Sequence, residues 1–202
     1  MSSPGNTDAS ANPIPDFGRD LSVEVDGPIG RLTLDRPEKL NPLSVDVLEG
    51  IEAAARWFDT LRGLKVIVVS GEGRSFTAGA DIAGFVGSPG DHRTTRERAD
   101  AGRRMGEALE AARAVTVARI QGHCIGGGVI LASACDFRVA ASDAQFSIPE
   151  VDLGIPLAWG GVPRLIREIG APATRDLVMT CRRFDAAEAA RLGFLQRVVD
   201  PE

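Results

Sequence analysis

An α/β fold is predicted for this chain of 202 residues, and three observations predict it. Short apolar runs of strand length alternate with longer segments whose apolar residues recur at helical spacing. The order is strand, strand, helix, then strand and helix repeated, which is the pattern of parallel strands joined by right-handed crossovers. Two glycine-rich segments each follow a strand-like run, where a sheet hands the chain on to the next element.

Residues 1–18 are rich in Ser, Pro, Gly, Asn and Asp and read as a disordered tail. Residues 21–25 and 29–34 form two strands joined at Asp26-Gly27-Pro28, a strong turn signal. The loop from Asp35 to Pro42 follows. Ser44 is a good N-cap for a helix running to about Arg62, because Val45, Leu48, Ile51 and Ala55 recur at helical spacing. Residues 64–69 are a continuous apolar strand, which predicts burial on both faces. Residues 83–93 are glycine-rich and read as a mobile loop; residues 94–113 read as an amphipathic helix. Strands are predicted at 115–120, 136–140, 145–148 and 196–199. Helices are predicted at 128–134, 161–169, 173–180 and 186–192, the last opened by Asp185 as N-cap.

Composition narrows the function. The apolar fraction of 44% supports one sizeable core. With 23 basic and 28 acidic residues spread along the chain, nothing favours nucleic acid as a partner. No apolar run is long enough to span a bilayer, and the start lacks the basic and apolar stretches of a secretory signal, so a cytoplasmic protein is expected. Cys124, Cys135 and Cys181 are too dispersed for a metal cluster or disulfide framework; Cys124 and Cys135 read as buried thiols. His123 is assigned a structural role and His92 none.

The glycine-rich segments carry the chemistry. They are Ser75-Phe76-Thr77-Ala78-Gly79-Ala80-Asp81-Ile82 and Gln121-Gly122-His123-Cys124-Ile125-Gly126-Gly127-Gly128-Val129-Ile130. Backbone N–H groups at such turns lack partners within their own element. Two of them aimed at one point suit a developing oxyanion, which points to a polarised carbonyl. Glu150, after Pro149 and among Phe146, Ile148, Val151, Leu153 and Ile155, is the candidate acid/base, since apolar surroundings raise a carboxyl pKa towards neutrality. Asp152 is a possible helper.

Together these segments resemble the crotonase family, also called the enoyl-CoA hydratase/isomerase superfamily. The matching pieces run in order: residues 34–44, residues 75–82, residues 122–128 followed by Cys135-Asp136, the run Phe146-Ser147-Ile148-Pro149-Glu150 to Pro156, and Gly160-Gly161 through Leu165. The resemblance implies a spiral of ββα units, an acyl-CoA thioester as substrate with no separate cofactor or metal, and a homotrimer or hexamer. The family continues past the position of Asp200 into helices that form the trimer contact. Residues 19–202 are thus read as the core domain lacking most of that region.

The resemblance also implies roles. Ala80 and Gly127 supply the oxyanion donors, and Glu150 moves the proton. Lys39, Leu40, Ala78, Ala80, Asp81 and Ile82 meet coenzyme A. Gly127, Ile130 and Trp159 join them in holding the substrate; Trp159 lines the acyl pocket or equally suits the core. Ile130 stands where hydratases of the family place a second glutamate, and Ala158 where some members place a further acid. An Ile neither holds water nor transfers a proton. The expectation is therefore one-base isomerisation of an enoyl-CoA. The alternatives are a non-catalytic acyl-CoA-binding protein and a hydratase using another acid.

Overall fold

The computed structural model describes residues 13–81 and 92–201. In chain order its strands are β1 (Leu21–Asp26), β2 (Ile29–Leu34), β3 (Val66–Gly71), β4 (Val115–Ile120), β5 (His123–Ile125), β6 (Phe137–Ala141), β7 (Gln145–Ser147), β8 (Phe184–Asp185) and β9 (Arg197–Val199). Its helices are α1 (Val45–Phe58), α2 (His92–Glu110), α3 (Gly127–Ser133), α4 (Gly161–Thr180) and α5 (Ala186–Arg191).

The β1–β2 hairpin opens the larger sheet, with Asp26 opposite Ile29 across the turn. From β2 onward every pairing is parallel, in the order β2-β3-β4-β6-β9. The strands β5, β7 and β8 make a second, three-stranded sheet. Of that second sheet the sequence reading contains β7, at 145–148, but not β5 and β8, whose three and two residues are too short to show a period.

The caps behave as the sequence predicts. Ser44 accepts from the Val47 N–H at 3.2 Å, and Asp185 from the Glu188 N–H at 2.7 Å. The helix α1 stops at Phe58, short of Arg62, and α2 runs from His92 to Glu110 instead of 94–113. Two helices expected at 161–169 and 173–180 are continuous in α4 except at Gly170, whose φ of 77° and ψ of 161° leave the helical region just before Pro172.

Leu32, Leu34, Ile67, Val69, Ala118 and Ile120 are buried in one core with Leu48, Ile51, Ala55 and Phe58 of α1. Successive side chains alternate across a strand, so Val66 and Val68 fall on the opposite face, where they are only half-buried. Burial of β3 on both faces is therefore not found. That outer face instead carries a concavity of about 960 Å³, lined among others by Arg31, Val68, Val117 and Val139. Of the expected tail, residues 1–12 lie outside the described residues, while Phe17 packs on Trp57 with ring centroids 5.7 Å apart. The expected mobile loop at 83–93 lies outside the described residues, except that His92 and Arg93 begin α2.

Arg138 is fully buried in the core. Arg138 donates to the carbonyls of Phe194 (2.5 Å) and Cys135 (2.7 Å), pairs with Glu168 at 2.5 Å, and stacks over the Phe194 ring. It ties β6 to the segment leading into β9.

Candidate active site

The loop before α1 shapes the first glycine-rich turn. Leu40 and Asn41 both take the left-handed conformation, φ 59° and 54°, which folds the loop back on the turn. The buried Asn41 amide then donates to the carbonyls of Glu72, Ser75 and Phe76 at 2.9–3.2 Å. Its backbone carbonyl accepts from Thr77 Oγ1 at 2.5 Å. The Ala78 N–H reaches Leu40 O at 2.8 Å, and Leu43 bridges Gly79 and Asp81 through N–H and C=O. Every backbone group around Ala80 is thereby placed.

The second turn meets the first edge to edge. The Thr77 N–H donates to His123 O at 2.9 Å and the Ile125 N–H to Thr77 O at 3.2 Å. A Cβ placed on Gly79 would lie 3.6 Å from the Gly127 nitrogen, so Ala80 and Gly127 come from adjoining stretches of backbone. Among the described residues, no acceptor meets the N–H of either Ala80 or Gly127. Gly127 is the first residue of α3, where an N–H has no intrahelical partner and the helix dipole is positive. The turn itself rests on Gly126, at φ 52° and ψ −114°, a conformation that favours a residue without a side chain.

Glu150 closes the cluster. Phe146 and Ile148 are fully buried and anchor the chain just before it. The carboxylate lies so near Gly126 that a Cβ there would be 2.6 Å from Oε1. Glu150 is only 8% exposed, and its Oε2 is buried with no hydrogen-bond partner. Burial therefore raises its pKa, opposed only by a backbone hydrogen bond at Glu150 itself. The apolar shielding is one-sided: Val151, Leu153 and Ile155 are exposed, contrary to the sequence reading. Asp152 is exposed as well and does not share the buried environment of Glu150.

Ile130 is buried on the next turn of α3, where its Cδ1 would lie 2.6 Å from a Cβ on Gly161. Trp159 is buried in the left-handed conformation (φ 58°), and its indole lies against both Gly102 and Gly127. Its carbonyl accepts from Arg164, whose Nε and Nη2 each bond Glu110 at 3.0 Å.

Of the residues expected to meet coenzyme A, Lys39 is exposed on a short 3-10 turn, Leu40 and Ala78 are joined by a hydrogen bond, and Asp81 is half-buried. Ile82 lies outside the described residues. The Cys124 and Cys135 thiols are buried, and desolvation pushes the Cys124 pKa far up and that of Cys135 to about 12. A nucleophilic thiolate is thus disfavoured at both. His123 is exposed on the face of β5 opposite Cys124. Among the described residues, no three His, Cys, Asp or Glu side chains are placed to hold a metal ion, and no helix is long and apolar enough to cross a membrane.

Asn41, Arg164 and Glu110 escaped the sequence reading. Asn41 stands inside a loop quoted only for its resemblance. The Arg164–Glu110 pair joins residues 54 positions apart, a separation at which sequence carries no signal.

Comparison with known proteins agrees with this architecture. The family model described as "Enoyl-CoA hydratase/isomerase" matches residues 24–202. A protein of Rhizobium meliloti named "Probable enoyl-CoA hydratase" is 37% identical over 195 residues, covering 90% of this chain and 69% of its own length. Among solved structures, Pseudomonas aeruginosa DspI superposes with a TM-score of 0.86 at 32% identity, covering 96% of this chain and 72% of that one. A putative enoyl-CoA hydratase from Thermobifida fusca in complex with CoA gives a TM-score of 0.81 at 28% identity, covering 90% and 72%.

Proposed function

The chain belongs to the enoyl-CoA hydratase/isomerase family, with the family's crotonase fold, and on that premise we propose that it isomerises an enoyl-CoA with Glu150 as the single base. The observation that carries this reading is a buried carboxylate beside two backbone N–H groups that meet no acceptor among the described residues; the family resemblance adds an Ile where hydratases place a second acid.

The thioester oxygen of a 3-enoyl-CoA sits between the N–H groups of Ala80 and Gly127. Glu150 removes a proton from C2. The electron pair moves through C1 to the oxygen, giving a dienolate whose charge the two donors stabilise. Losing one such donor raises the barrier by about 3–4 kcal/mol. The carboxylic acid then returns the proton to C4, and the double bond ends between C2 and C3. No atom is gained or lost. A carboxyl with a pKa raised by burial accepts and releases that proton more evenly near neutral pH than an exposed one.

Hydration is the second reading, because the Rhizobium meliloti and Thermobifida fusca relatives are named hydratases. It asks for a water oriented by a second polar group. Ile130 offers none, and Asp152 is exposed. Coenzyme A itself is assigned to Lys39, Leu40, Ala78 and Asp81.

Steady-state turnover of a 3-enoyl-CoA, beside equilibrium binding of a saturated acyl-CoA, tests the role of Glu150. Glu150→Gln lowers turnover by about 10²–10⁴-fold and leaves binding nearly unchanged, because the amide keeps size and polarity. Turnover that survives the substitution rules out Glu150 as the base. Binding without turnover in the unmodified protein points to the non-catalytic acyl-CoA-binding alternative.

A further inference from the structure

Resting on that acyl-CoA reading, we infer that Trp159 is the end wall of the acyl pocket and restricts the substrate to short acyl chains. The indole is wedged between two glycines on different helices. Its five-membered ring lies against Gly102 of α2: a Cβ there would overlap Cγ, Cδ1 and Cδ2. Its six-membered ring lies against Gly127, where a Cβ would overlap Cζ3 and crowd Cη2 at 2.7 Å. The ring therefore spans from α2 to the very residue that presents one oxyanion donor.

This position limits the acyl chain directly. With the thioester oxygen at Ala80 and Gly127, C2 must come within reach of Glu150, which abuts Gly126. The next carbons then pass between Glu150 and the indole. Behind the indole stands the backbone of α2 at Gly102, with no room for a methylene. To one side, Ile130 fills the space up to Gly161, and Leu157 packs at the same point.

The wall is also held in place. Trp159 keeps a left-handed backbone, uncommon for a bulky residue. Its carbonyl is gripped by Arg164, itself 6% exposed and fixed by two bonds to Glu110.

The test is equilibrium binding of butyryl-CoA and octanoyl-CoA to the full chain and to W159G, by calorimetry. Glycine suits the left-handed backbone at this position, so the variant retains the local conformation. The unmodified protein is expected to bind butyryl-CoA at least 10-fold more tightly than octanoyl-CoA, and W159G to shift that ratio at least 10-fold towards octanoyl-CoA. W159F, which keeps a smaller ring, is expected to shift it in the same direction by about 3-fold, and serves if W159G does not fold. Comparable affinities for both esters in the unmodified protein, or a ratio unchanged in the variants, overturns the end wall while leaving the acyl-CoA reading intact. A folded protein that binds neither ester overturns both.

Discussion

Replacing Glu150 with Gln exposes the cost of keeping a carboxylate in this site. In the unfolded chain the carboxyl ionises near its ordinary value, about 4.3. In the folded chain burial moves ionisation to higher pH. Between the two values the native state holds the proton more strongly than the unfolded state. Native stability therefore falls as pH rises through that window and levels off above the folded pKa. Each pH unit separating the two values removes about 1.4 kcal/mol. The glutamine does not titrate. Its amide leaves buried polar atoms short of partners, as the unpartnered Oε2 does now, but that cost of about 1–3 kcal/mol is the same at every pH. Urea denaturation of both proteins from pH 4 to pH 8 separates the terms. The stability of Glu150→Gln relative to the unmodified protein should rise with pH across the window and then plateau. A difference that stays flat, or falls with pH, would show that the carboxylate is solvated or paired and would undo the argument for a desolvated base.

Three further substitutions probe the surrounding structure. Ile130→Glu places an acid on α3 facing Gly161 and should raise hydration of crotonyl-CoA above the background of the unmodified protein, as product assays would detect; it should also destabilise the fold by about 2–3 kcal/mol, the burial lost with one Ile side chain. Gly127→Ala drives a methyl into the Trp159 ring and should cost about 1–3 kcal/mol of stability in the same denaturation assay, together with a fall in turnover as the donor is displaced. Arg138→Met leaves the Phe194 and Cys135 carbonyls and Glu168 without their shared partner; a loss of about 3–5 kcal/mol is expected, and a midpoint shift worth less than 1 kcal/mol would contradict the account of that network.

The sequence made the main sheet and the two turns legible because both rest on local signals. Capping by Ser44 and Asp185, the Asp26-Gly27-Pro28 turn and the apolar strands are all decided within a few residues. Contacts between distant segments were not legible. Nothing near Trp159 in the chain announces Gly102, and nothing near Arg164 announces Glu110. The strands β5 and β8 were too short to register. The one-sided shielding of Glu150 was missed for a related reason: Val151, Leu153 and Ile155 are apolar, yet they occupy an outward turn that composition alone cannot distinguish from a core segment. For Ile130 the reading comes from the family resemblance, since an aliphatic residue at a place where an acid is expected is visible at one position.

The central claim is that one base and two backbone donors move a double bond without adding water. It is tested most directly by giving the unmodified protein a 3-enoyl-CoA and, separately, crotonyl-CoA, and resolving the products by chromatography. Conversion of the first to the conjugated 2-enoyl-CoA, with negligible 3-hydroxyacyl product from the second, is the predicted result. Hydration of crotonyl-CoA at about 10 s⁻¹ or faster, the range of ordinary enzymes, would contradict it.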